Sequence, residues 1–221
     1  MTTPLKRVIL TTAVAAAVPL LGVAIAGSVF HISVPTMTRD VSALAKIHPL
    51  TGVLSSLGIL FWWTSATIYL FTAFLQRERK EATEIGFLIY SGLLSIYLGF
   101  DDLFLIHEYL APIYLKIPER AVYLLIAFAT LVYLVRYGRL LRRPDGVLLL
   151  CALACLSGSV AIDAVFAPWL KVMGGWDVFI EDGLKWLGIC FWTAFCIVRS
   201  SAILRSVAQN ETCELGTAMP S

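Results

Sequence analysis

Long apolar runs alternate with short polar links along the whole chain, and these runs frame every other feature. Six are of membrane-crossing length, at residues 8–31, 49–75, 85–105, 121–137, 147–167 and 183–204. About 20 consecutive apolar residues in a helix cross a hydrocarbon core of roughly 30 Å. A segment in lipid must also satisfy its backbone polar groups internally, which a helix does. The pattern predicts an all-α polytopic membrane bundle of six transmembrane helices, one domain over residues 1–208, with a polar, mobile tail over 209–221. The first run follows Lys6 and Arg7 and passes through AIAGS, as a secretory signal does. Its apolar stretch continues through SVFHI, which favours an uncleaved first helix.

Composition agrees with that pattern. Apolar residues make up 59% of the 221-residue chain and charged residues 14%, against about a quarter charged in a soluble domain. The net charge of +2 carries no basic stripe, so nucleic acid is excluded as a partner and the lipid bilayer is the expected one. With the N-terminus inside, eleven of the 17 Lys and Arg residues fall in inner links or at inner span ends. The positive-inside rule then puts both termini in the cytoplasm, as in a bacterial inner (plasma) membrane. Cys151, Cys155, Cys190 and Cys196 lie within spans and Cys213 in the tail, so no disulfide framework is expected.

Against this background the stretch YLGFDDLFLIHEYLAP, residues 97–112, is anomalous. Asp101 and Asp102 end the third span, with His107 and Glu108 just beyond. The predicted topology brings Asp163, at the end of the fifth span, and Glu181, Asp182 and Lys185, at the start of the sixth, to the same outer depth. A charged Asp at mid-span costs about 2.5–3.5 kcal/mol, less near an interface. Glu181 and Asp182 suit a helix N-terminus as caps. Asp101, Asp102 and Asp163 stand at helix C-termini, where negative charge is disfavoured. Lys185 and Arg120 are the basic residues expected near them. Lys185 lies one turn from Glu181, so local neutralisation on its own helix is expected.

Helical geometry divides the cluster. At about 100° per residue, Tyr97, Asp101, Phe104 and Glu108 share a face, while Asp102 points away with Ser91 and Ser95. His107 falls on a third side, so these groups share one site only if the helix unwinds near His107. Glu181, Lys185, Gly188 and Trp192 form a stripe on the sixth span, and Thr51, Ser55, Gly58, Trp62, Ser65 and Tyr69 form one on the second. Such stripes usually mark close helix packing. Two further readings are open: a hairpin repeat pairing residues 102–125 with 163–188, and a surface-lying outer loop around Pro112 and Pro118.

These residue types point to acid–base work or to a divalent cation. Paired carboxylates divide into acid and base when burial raises one pKa. Asp102, His107 and Glu108 are the candidate metal ligands. A zinc site made of His31, His48 and His107 is the less favoured alternative. DDLFLIHE lacks the DDxxD spacing of prenyl-diphosphate enzymes, and the sixth span lacks the paired His of alkaline ceramidases. The expected function is a membrane-embedded enzyme, metal-dependent or acid–base, acting on a lipid-like or isoprenoid small molecule. Asp101, Asp102, Glu108, Asp163, Glu181, Asp182 and Lys185 are its candidate catalytic residues. A proton- or cation-coupled transporter and a structural subunit are the alternatives.

Overall fold

The computed structural model describes residues 3–39, 41–78, 81–163 and 176–217. Among the described residues there are nine helices and no strand. The chain divides into two compact units, residues 1–51 and 52–221. The first unit holds α1 (Thr3–Phe30) and two short helices, α2 (Val34–Thr38) and α3 (Val41–Ala45). Within this unit His48 accepts the Leu50 N–H at Nδ1, 3.2 Å away, so its imidazole is part of a turn.

The second unit contains α4 (Val53–Gln76), α5 (Ala82–Phe104), a π-helical segment (Ile106–Leu115), α6 (Glu119–Leu141), α7 (Gly146–Ala161) and α8 (Trp176–Thr217). The sequence predicts six spans. Five helices are long and apolar enough to cross a membrane, those of α1, α4, α5, α6 and α8. The apolar helix α7 has 16 residues, about 24 Å at 1.5 Å per residue. Residues 164–167 of the expected fifth span, and residues 164–175 of the second copy of the suggested repeat, lie outside the described residues. A second difference concerns α8, which starts at Trp176 and stays helical to Thr217. Hydropathy starts a span where charge ends, whereas a helix continues wherever its backbone bonds are made. Glu181 and Asp182 are therefore interior helical residues, not caps.

Helix α4 packs along α5 and against α8, and α7 packs along α8. Small residues let the backbones approach. A Cβ on Gly92 would stand 2.7 Å from Cγ of Leu70, and one on Gly188 would stand 2.6 Å from Cγ of Leu156. Around these contacts runs an aromatic core. Trp62 meets Trp192 edge-on at 5.8 Å, and Phe87 stacks on Tyr133 at 5.7 Å.

Polarity is inverted relative to a soluble bundle. Buried hydroxyls bond across helices: Ser65 Oγ donates to Thr193 Oγ1 at 3.0 Å, Ser91 Oγ to the Tyr133 hydroxyl at 3.1 Å, and Trp192 Nε1 to Ser95 Oγ at 2.9 Å. Meanwhile Phe71, Phe128, Val135 and Leu150 project outward, each at least 60% exposed. The small and polar stripe of α4 faces inward, with Gly58, Trp62, Ser65 and Tyr69 all buried.

Candidate functional site

Local backbone geometry creates the site. Helix α5 stops at Leu105, whose left-handed conformation (φ 49°, ψ 49°) carries its N–H back to the Asp101 carbonyl. The chain restarts as the π-helical segment, which ends at Lys116, again left-handed (φ 58°). The α-helical register is thus broken just before His107, as sharing a site with Asp101 requires. The outer segment around Pro112 is helical as far as Leu115, with Ala111 buried and Leu110, Ile113, Tyr114 and Leu115 exposed.

The break lets Asp101 turn from a liability into an anchor. Its Oδ1 accepts the His107 backbone N–H at 3.0 Å, and its Oδ2 lies 2.6 Å from Nδ1 of His107. The carboxylate disfavoured at the end of one helix serves as acceptor for an orphan N–H at the start of the next. Nε2 of His107 lies 3.4 Å from Oε1 of Glu108, and the Tyr123 ring is 5.0 Å away between centroids. The imidazole is therefore held between two carboxylates.

Asp102 points elsewhere, as its position on the helix requires. Its Oδ2 accepts Trp62 Nε1–H at 2.9 Å, and its Oδ1 lies 2.6 Å from Nζ of Lys185. This corrects the expectation that Lys185 is neutralised by Glu181 on its own helix: its partner comes from α5. Asp163 accepts the hydroxyl of Tyr123 at 2.8 Å, and the same hydroxyl lies 3.2 Å from Oε1 of Glu119.

The metal expectation gains no support from the geometry. Among the described residues, no three His, Cys, Asp or Glu side chains are grouped to hold a metal ion. The reason is visible in the pairing. Both imidazole nitrogens of His107 already face carboxylates, and Asp102 is turned to Lys185 and Trp62.

These groups lie together in the wall of a cavity of about 590 Å³. Asp101, Asp102, His107, Glu108, Asp163, Glu181 and Lys185 line it, together with Tyr123, Trp62 and Trp192. Leucine, isoleucine and valine from α5, α6 and α7, such as Leu98, Ile126, Leu131, Leu153 and Val160, supply most of the rest of the wall, interrupted by the hydroxyls of Thr130, Ser157 and Ser159. Asp182 lies apart from it, lining a pocket of about 30 Å³ with Ser55, Trp186 and the far sides of Asp102 and Lys185. Tyr123 was missed from sequence because it resembles any interfacial aromatic. Its one signal is Glu119, a helical turn earlier.

Electrostatics set the protonation of the dyad. Burial alone would lower the His107 pKa, but hydrogen bonds and charge from Asp101 and Glu108 override it and raise the value to about 9. The Glu108 carboxyl is held below its ordinary range, chiefly by its bond to His107 against the opposing effect of burial. An unfolded imidazole titrates near 6.5, so the folded group keeps its proton to higher pH. The stability it contributes is complete below about pH 6.5 and is lost as pH rises through about 9. Glu108 contributes in the opposite sense, above its unfolded pKa, and its share is lost as pH falls through its lowered one. Melting temperatures between about pH 6 and pH 10 will therefore fall more steeply for the wild type than for His107→Gln. Parallel curves would show that the imidazolium is not linked to folding.

Fold and site together define a class: an all-helical chain, with five helices fit by length and composition to cross a membrane, enclosing an apolar cavity that ends in charge. Residues 8–198 match the family described as Domain of unknown function (DUF8692), and the chain belongs to that family. No curated protein and no solved structure matches it.

Proposed function

We propose that this is a multi-pass membrane protein of six spans with both termini cytoplasmic, working in a bacterial inner (plasma) membrane. Its function in this reading is that of a membrane-embedded acid–base enzyme acting on an amphiphile. The inverted polarity of the second unit supports the membrane placement, since outward-facing Phe128 and Val135 suit lipid and not water. The observation that carries the function is the cavity of about 590 Å³ that is apolar along its walls and ends at Asp101, His107 and Glu108. That volume and lining suit a molecule with an apolar tail and a polar head.

In this reading Asp101 fixes the orientation of the imidazole through Nδ1. Glu108, about half exposed on its side chain, and Nε2 of His107 face the head group as base and acid. Lys185 and Asp102 hold α5 to α8 beside them. A carrier is less well supported, because the deeper hydroxyls of Ser65, Ser91 and Ser95 are engaged with Thr193, Tyr133 and Trp192 on neighbouring helices or with backbone carbonyls of their own helix.

Ala127 lines the cavity and leaves room at its wall, so Ala127→Trp fills the tail site. Mass spectrometry of protein extracted in mild detergent is expected to find a bound amphiphile in the wild type. The variant, folded to the same melting temperature, should retain at least about tenfold less, a loss of about 1.4 kcal/mol. Equal retention in both would remove the support for the cavity as the binding site.

A further inference from the structure

The charges at the acidic end specify what kind of head group fits, an inference that rests on the amphiphile reading above. Five carboxylates line this end of the cavity. Lys185 matches Asp102, and the single charge of His107 is shared between Asp101 and Glu108. Among the described lining residues, three negative charges are left over. Glu181 is within electrostatic range of Asp163, Asp182 and Glu108 as well as of Lys185, so the carboxylates in excess act on one another.

A small inorganic cation does not solve this imbalance. Such an ion needs several oxygen ligands at about 2.0–2.6 Å, and the described acidic groups are nowhere gathered so closely. An organic ammonium does. It spreads one charge over a larger radius, accepts carboxylates at hydrogen-bond or longer range, and is attracted by aromatic faces. Trp62, Tyr123 and Trp192 supply such rings in the same cavity. An anionic head, such as a phosphate or carboxylate, would be repelled by the excess of negative charge on these lining residues.

We therefore infer that the cavity takes an amphiphile whose head is an organic ammonium group and whose apolar tail lies between α5, α6 and α7. The test uses protein in nanodiscs of phosphatidylcholine and three dodecyl compounds: dodecyltrimethylammonium, dodecanol and dodecyl sulfate. Binding is read from tryptophan fluorescence, since Trp62 and Trp192 line the cavity, and Ala127→Trp, followed by native mass spectrometry, serves as the blocked control. The ammonium compound is expected to bind at least about tenfold more tightly than dodecanol, and dodecyl sulfate more weakly than either. The double variant Asp163→Asn/Glu181→Gln should lose that preference. Should it fail to fold, Glu181→Gln alone, with the salt dependence of the wild type, gives the same reading. Equal binding of dodecanol and the ammonium compound, abolished by Ala127→Trp, would overturn the head-group inference and leave the cavity standing. Binding that ignores Ala127→Trp altogether would overturn both.

Discussion

Replacing Arg199 by methionine will destabilise the folded protein by about 3–5 kcal/mol, the cost of leaving one member of a buried ion pair alone. Arg199 lies on α8 with its side chain 3% exposed, and its Nε is 3.0 Å from Oδ2 of Asp145 in the α6–α7 turn. Its Nη2 donates to the carbonyl of Leu140 near the end of α6, and its charged carbon sits 5.8 Å from the ring centre of Phe87 and 5.7 Å from that of Phe195. One side chain thus ties three helices together, using an N–H, the charge and the face of the guanidinium at once. Lysine offers neither, so Arg199→Lys should recover less than half of the loss. Reversible unfolding in mixed detergent measures both variants. A shift below about 1 kcal/mol for Arg199→Met would show the pair to be no stronger than an exposed one.

Lys185→Met is the second large effect, expected to cost about 3 kcal/mol. That is the low end for a buried pair, because the Lys185 side chain keeps 32% exposure while Asp102 keeps 7% and solvent screens part of the interaction. Its informative partner is Asp102→Asn. That substitution can keep an acceptor for Trp62 Nε1–H, 2.9 Å away, while removing the charge. The double variant should be more stable than Lys185→Met alone, because no uncompensated carboxylate remains. A double-mutant cycle with zero coupling would place Lys185 in water and not in the pair.

Much of this architecture was written in the spacing of residues. The apolar runs marked the helices, since hydrocarbon length leaves few alternatives. The 100° step correctly parted Asp101 from Asp102, and it required a helix break near His107, which Leu105 provides. What spacing could not reveal was partnership across helices. Lys185 is near Glu181 along its own helix, so a one-dimensional reading pairs them, yet its contact is with Asp102 from α5. Arg199 is a similar case. At the end of an apolar run it resembles an inner flanking charge, whereas in the fold it is buried in the bundle. Tyr123 bonds to Asp163 forty positions away, and no local pattern records that bond.

In the proposed mode of binding an amphiphile enters between α5, α6 and α7 with its head toward the acidic end. Photo-crosslinking in native membranes with a dodecyl ammonium probe carrying a diazirine near its tail end tests this most directly. Label is expected on cavity-lining residues of α6 and α7, such as Ile126, Leu131 and Leu153, and is expected to be displaced by excess dodecyltrimethylammonium. Label spread over outward-facing residues such as Phe71 and Val135, undiminished by the competitor, would contradict it.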